Sequence, residues 1–194
     1  MSSLGISSLI GAYLLGALPV SKRIARYYGV DLSQGSGNYG TTNMYRLGGW
    51  QPACLLLAWD SLKTAVPTLV SLTLWPGNAW MPILIGSSGI LGHILPPTGK
   101  GGKGVAPTLG VLAVLAPLVL TLVLLVCGGI LAKTRYMSLA SLTGAVLAPA
   151  LAYVLALPMP TALAIAVISL SIIGRHYTNI YRLYTGTEHK LGPR

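Results

Sequence analysis

Long apolar runs recur along the chain: Leu4 to Tyr28, Trp50 to Leu74, Ala79 to Leu95, Val105 to Ala132, Leu139 to Leu157 and Ala162 to Gly174. A helix that crosses a bilayer takes roughly 20 predominantly apolar residues. Lipid offers backbone N–H and C=O groups no partner but one another, so runs like these cross as helices. The pattern therefore predicts an all-α polytopic membrane protein. Composition agrees, with 8% charged and 53% hydrophobic residues, where a soluble domain carries about 25% charge. A chain this apolar buries too much surface to stay disordered. The first run carries its bases, Lys22, Arg23 and Arg26, after the apolar stretch rather than before it. A cleaved signal peptide has the opposite order, so the segment is expected to stay.

The bases also predict the topology. They fall at 22–26, 46, 63, 100–103, 133–135 and 175–194, whereas the turns at 75–79 and 157–161 carry none. The positive-inside rule puts the basic segments in the cytoplasm and the N-terminus outside. The chain must then cross an even number of times between Lys100/Lys103 and Lys133/Arg135. Val105 to Ala132 would span about 42 Å as one helix at 1.5 Å per residue, too short for two full crossings. Two short helices broken near Ala116-Pro117 resolve the parity, since proline removes a helix hydrogen bond there. The expectation is about seven helices including short ones, with the C-terminus cytoplasmic, in a single domain over residues 1–194. Trp75 and Trp80 read as an interfacial belt. Cys54 and Cys127, both in apolar runs, read as buried small hydrophobes rather than a disulfide or zinc framework. No cofactor or metal is implied, and no basic stretch is long enough to track nucleic acid.

Three polar segments exceed what topology needs, and all three fall on the expected cytoplasmic face. The first contains Gly35, Ser36, Gly37, Asn38, Thr42, Asn43 and Arg46. Its glycines let backbone N–H groups converge on an anion, and Arg46 adds a two-pronged fork for phosphate. The segment fits G-x-G-x-x-G in form, but no βαβ unit surrounds it. The second is Lys100-Gly101-Gly102-Lys103-Gly104, which follows His93 and leads into an apolar helix, whose N-terminus attracts phosphate. It lacks the Ser or Thr of a Walker A loop. The third runs from Arg175 to Glu188, with His176, Asn179 and Leu183 on one helical face. Asp60 and Lys63, three apart inside an apolar run, read as a structural ion pair. Ser138 and Ser141 read first as capping or interhelical hydrogen-bonders. No histidine has an aspartate five residues on, so a local His–Asp base is missing.

Together these motifs resemble the bacterial acyl-phosphate:glycerol-3-phosphate acyltransferases, integral membrane enzymes of phospholipid synthesis. The resemblance rests on Gly35-Ser36-Gly37-Asn38 through Asn43 and Arg46, on Gly92-His93 with Pro96 and the Lys100–Ala106 block, and on Ser138-Leu139-Ala140-Ser141. It continues through Arg175-His176, Asn179-Ile180, Arg182-Leu183, Gly186 and Glu188, in order along essentially the whole chain. The chain departs from the family pattern in the short Pro97-Thr98-Gly99 link and in Leu62-Lys63-Thr64.

The resemblance implies transfer of a fatty acyl group from acyl phosphate to the 1-hydroxyl of glycerol 3-phosphate, giving lysophosphatidic acid and phosphate. It implies a multi-pass protein of the bacterial inner membrane, functional as a monomer, with its site on the cytoplasmic side. Ser36, Arg46, His176, Asn179 and Glu188 are the catalytic candidates. Gly35, Gly37, Asn38, Thr42, Asn43, Lys100, Gly101, Gly102, Lys103, Gly104 and Ser141 are the phosphate-binding ones. The competing readings are a transporter of phosphorylated anions and an inactive relative that only binds lipid phosphate. A transporter needs a polar path along its spans, and these spans are largely apolar.

Overall fold

Ten helices and no strand occupy the described residues, 2–97 and 99–192, of the computed structural model. They are α1 (Ser3–Ala17), α2 (Val20–Tyr27), α3 (Thr41–Gly48), α4 (Trp50–Leu74), α5 (Trp80–Ile94), α6 (Val105–Leu115), α7 (Pro117–Thr134), α8 (Met137–Val154), α9 (Met159–Arg175) and α10 (Tyr177–Tyr184). Seven of these are the expected apolar helices; α2, α3 and α10 are short polar ones beside them. Taken with the α2 extension of α1, four are long and apolar enough to cross a bilayer, and α9 joins α10 in a pair bent by 59°. α5 and α6 are shorter apolar helices. Thr98 of the Pro97–Gly99 link lies outside the described residues.

The expected break in the fourth apolar run is present. Ala116 leaves helical geometry at φ −150° and ψ 60°, and Pro117 opens α7, where its missing N–H has no helical partner to lose. The first run, read as one span to Tyr28, remains one candidate span over Ser3–Tyr27, with its helix interrupted between α1 and α2. Leu18 is extended at ψ 126° before Pro19, because the proline ring disfavours helical geometry in the residue ahead of it. Proline does not always break these helices: Pro67 and Pro149 lie inside α4 and α8.

The chain divides into two compact units, Met1–Leu115 and Ala116–Arg194. In the first, α5 packs on α1 and α4, and α4 also packs on α6. Small residues set these distances. A Cβ on Gly16 would overlap the Gly89 backbone, one on Gly92 the Tyr13 carbonyl, and one on Gly110 the Ser61 carbonyl. Lipid gives helices no hydrophobic reason to associate, so close backbone approach and interhelical hydrogen bonds hold them. The Tyr13 hydroxyl donates to the Leu95 carbonyl at 2.8 Å, Ser88 to Leu9 at 2.8 Å and Thr64 to Pro107 at 2.7 Å. Trp75 packs on the Ala12, Met81 and Ile85 cluster, while Trp80 is exposed. Gly92→Ala is expected to force α1 and α5 apart at a cost of about 1–3 kcal/mol; a thermal melt in detergent that matches wild type would refute this contact.

In the second unit α8 packs on both α7 and α9. Chain reversal after α7 uses Arg135 at φ 61°, in the left-handed region. Its backbone carbonyl accepts from the Leu191 N–H at 2.8 Å, and its Nε donates to the Leu191 carbonyl at 2.8 Å, which pins the C-terminal segment to that turn. The Cys127 thiol donates to the Ala140 carbonyl at 3.1 Å between α7 and α8. Cys54, read as buried, is exposed on α4. An apolar run marks residues that tolerate lipid as well as residues that face a core, and Cys54 is of the first kind.

Candidate active site

In the first unit, the polar segment between α2 and α3 is a loop built around one side chain. Gly35 and Gly37 both sit at φ 64°, a region where only glycine is unstrained. The buried Asn43 of α3 ties the turn together. Its Oδ1 accepts the Ser36 N–H at 3.0 Å, and its Nδ2 donates to the Leu32 and Gln34 carbonyls, each at 3.1 Å. Both amide hydrogens are spent on the loop, so Asn43 braces the segment from within. Asn38 closes a smaller turn by accepting the Gly40 N–H at 2.8 Å. Thr42 stands on the first turn of α3 and Arg46 on its last. The Thr41 hydroxyl is buried without a hydrogen-bond partner among the described residues. Asp31, which opens the loop, is held below the ordinary carboxylate range by the Ser33 hydroxyl, the Ser33 N–H and the Gln34 amide.

The second polar segment folds back on the end of α5. The Gly102 N–H donates to the His93 carbonyl at 3.1 Å. A Cβ on Gly101 would overlap the His93 and Ile94 carbonyls, and one on Gly102 would overlap the His93 ring. Gly104, at φ 89°, packs on Ile94 and accepts the Thr108 N–H at 3.1 Å as α6 begins. The glycines therefore serve close approach, which brings backbone beside a histidine rather than only making the loop pliable.

A small open cleft lies here. Gly16 to Pro19 at the α1–α2 break line it, together with Ser21 and Lys22, and Tyr39 enters from the first polar loop. Lys100, Gly101 and Gly102 come from the second loop, and Asp60, Lys63 and His93 complete the wall. Three lysines against one aspartate make the cleft cationic. Ser36, Arg46 and Lys103 are not among its lining residues. Lys22 also lies 5.5 Å from the centre of the Tyr39 ring, within cation–π range.

The Asp60–Lys63 pair read from the sequence is present at 2.7 Å, with both side chains almost fully buried. What the sequence did not disclose is its third member. Lys63 Nζ lies 2.9 Å from His93 Nδ1, and that nitrogen lies 3.5 Å from Asp60 Oδ1. The absence of a local His–Asp spacing stands, but a histidine does approach an aspartate through the tertiary fold, between α4 and α5, where a search for local spacing cannot see it. The available signals were an ion pair in mid-run and a histidine next to the close-packing Gly92.

In the second unit, His176 sits at the α9–α10 bend, 3% exposed. Its Nδ1 lies 2.8 Å from the Ile172 carbonyl. A carbonyl only accepts, so Nδ1 carries a proton, and in the neutral ring the lone pair then belongs to Nε2. Asn179 donates through Nδ2 to Glu188 Oε1 at 3.0 Å and Oε2 at 3.2 Å. Arg182 Nε donates to Glu188 Oε2 at 3.0 Å. Glu188 thus pairs with a base of the C-terminal segment, Arg182, and orients Asn179. Ser141 is half-buried on α8, and the Ser138 hydroxyl, one turn earlier, is buried without a partner among the described residues. No cluster of metal-binding side chains occurs among the described residues.

Residues 6–186 match the family model described as glycerol-3-phosphate acyltransferase. The glycerol-3-phosphate acyltransferase of Aquifex aeolicus is 40% identical over 94% of this chain and 96% of its own. That of Halalkalibacterium halodurans is 41% identical over 97% and 96%. The crystal structure of the integral membrane glycerol 3-phosphate acyltransferase PlsY, in its glycerol 3-phosphate form, superposes with a TM-score of 0.92 at 38% identity, covering 98% of this chain and 96% of that one. Its lysophosphatidic acid form gives 0.91. With the fold, the order of the motifs and the length all in agreement, this multi-pass membrane protein belongs to the glycerol-3-phosphate acyltransferase family.

Proposed function

We propose that the protein transfers a fatty acyl group from acyl phosphate to the 1-hydroxyl of glycerol 3-phosphate, releasing lysophosphatidic acid and inorganic phosphate. The observation that carries this reading is the cationic, glycine-walled cleft set among apolar helices, which suits a phosphorylated substrate beside a lipid phase. The family and the two ligand forms of the PlsY structure support the same substrate and product.

The acyl donor is a mixed anhydride and is already activated, so positioning and charge neutralisation supply most of the catalysis. The substrate hydroxyl oxygen attacks the acyl carbonyl carbon, the carbon–oxygen bond to phosphate breaks, and phosphate leaves with the bonding pair. The hydroxyl proton passes to Nε2 of His176, the nitrogen that carries the lone pair when Nδ1 donates to Ile172. Ser36, Arg46, Lys100 and Lys103, with the N–H groups of Gly35, Gly37 and Gly101 to Gly104, hold phosphate oxygens. Asn38, Thr42 and Ser141 add neutral contacts. Asn43 and Glu188 act by positioning, the first on the Ser36 loop and the second on Asn179, whose Oδ1 accepts from the glycerol.

The protein works as a monomer in the bacterial inner membrane, with these groups on the cytoplasmic side, where the basic segments belong. Purified protein in detergent, given acyl phosphate and glycerol 3-phosphate, is expected to yield lysophosphatidate and phosphate in equal amounts. Turnover without vesicles argues against transport as the primary role. No product from either substrate would leave the inactive relative as the better reading.

A further inference from the structure

Neither the Asp60–Lys63 pair nor His93 has a part in the reaction just described, yet the three make a connected chain that ends in the cleft. Asp60 and Lys63 are 3% and 4% exposed, and charges are buried this way only when paired. Lys63 has hydrogens to spend on two acceptors, Asp60 Oδ1 at 2.7 Å and His93 Nδ1 at 2.9 Å. An ammonium only donates, so Nδ1 must be the acceptor and the imidazole proton must sit on Nε2. His93 is therefore a neutral donor, not the base that its nearness to Asp60 at 3.5 Å first suggests. Its Nε2 edge packs on Gly102, where a Cβ would overlap it. The groups around it are Lys22, Lys100 and the glycine backbone.

We propose that His93 is a substrate-binding donor whose Nε2–H meets a phosphate oxygen in this cleft, and that Asp60 and Lys63 are positioning residues that hold it in that tautomer. The ligand class is a phosphate monoester or acyl phosphate. The inference rests on the proposed function for its choice of ligand, but its test does not need turnover. A neutral imidazole donor suits this place, because three lysines already supply positive charge and a fourth cation beside Lys63 would be repelled.

The chain has 3 histidines, so protein labelled with ¹⁵N-histidine in detergent gives few imidazole signals, and His93→Gln assigns those of His93. The expected spectrum shows the neutral Nε2–H form in wild type and loses it in Lys63→Met, where Asp60 can draw the proton to Nδ1. Glycerol 3-phosphate alone, and an unreactive acyl phosphonate alone, are titrated in turn; the one that moves the Nε2 signal is the ligand held. The KM for that substrate is expected to rise about tenfold or more in His93→Ala, the loss typical of a hydrogen bond to a charged group, with kcat changed less. His93→Gln, which keeps an N–H donor, recovers most of that loss. A wild-type Nδ1–H or imidazolium form, or a signal that neither ligand moves, overturns the proposal, as does equal damage from Gln and Ala. If His93→Ala fails to fold, the spectra and the Gln variant still decide. Wild-type protein that shows the tautomer and the ligand response but makes no lysophosphatidate overturns the proposed function and leaves this inference standing.

Discussion

Replacing Asp60 with alanine is expected to lower the thermal midpoint in detergent by about 10 °C, more than any loop substitution should. The reason is the environment of its partner. Lys63 is 4% exposed, so without the carboxylate its ammonium sits uncompensated among apolar helices. Breaking a buried pair from one side costs about 3–5 kcal/mol, and a chain of this size shifts by about 2–4 °C per kcal/mol. Removing both charges is different: Asp60→Ala combined with Lys63→Met leaves no stranded ion, and most of the lost stability should return. Contacts this close are not additive, so the double variant carries the argument. If Asp60→Ala melts with wild type, the pair is solvated and the buried network described here is wrong.

Arg46→Ala should have the opposite profile. Turnover is expected to fall below detection while the protein still inserts in the membrane and melts near wild type. Arg46 stands on the last turn of α3, and the Ser36 loop is braced by Asn43. Arginine at a phosphate site supplies a planar two-point contact that lysine does not reproduce, so Arg46→Lys should remain strongly impaired. Activity near wild type in Arg46→Ala would remove the residue from the site; a parallel loss of melting temperature would make its role structural.

The sequence made the helices legible through hydrophobic length, and it marked the Ala116–Pro117 break because topology demanded one there. Pro19 carried the same local signal but stood in an apolar run read as one span, so the interruption at Leu18 between α1 and α2 was not expected. Pro67 and Pro149 show why proline alone does not decide the matter. Within a packed membrane helix, neighbouring groups re-satisfy the freed carbonyl. At the site, residue types were legible and partners were not. Asn43 looked like a phosphate ligand, since an amide in a glycine-rich loop suits an anion, yet burial committed it to the loop's own carbonyls. The partners of His93 lie 30 and 33 positions away, and linear spacing holds no record of two helices meeting.

Glu188 and Leu191 enter the structure from the final stretch of the chain, yet one orients Asn179 and the other clamps the turn at Arg135. A change confined to residues 188–191 would therefore act at two places at once, taking the carboxylate from Asn179 and unclamping the Arg135 turn, while leaving every apolar helix intact.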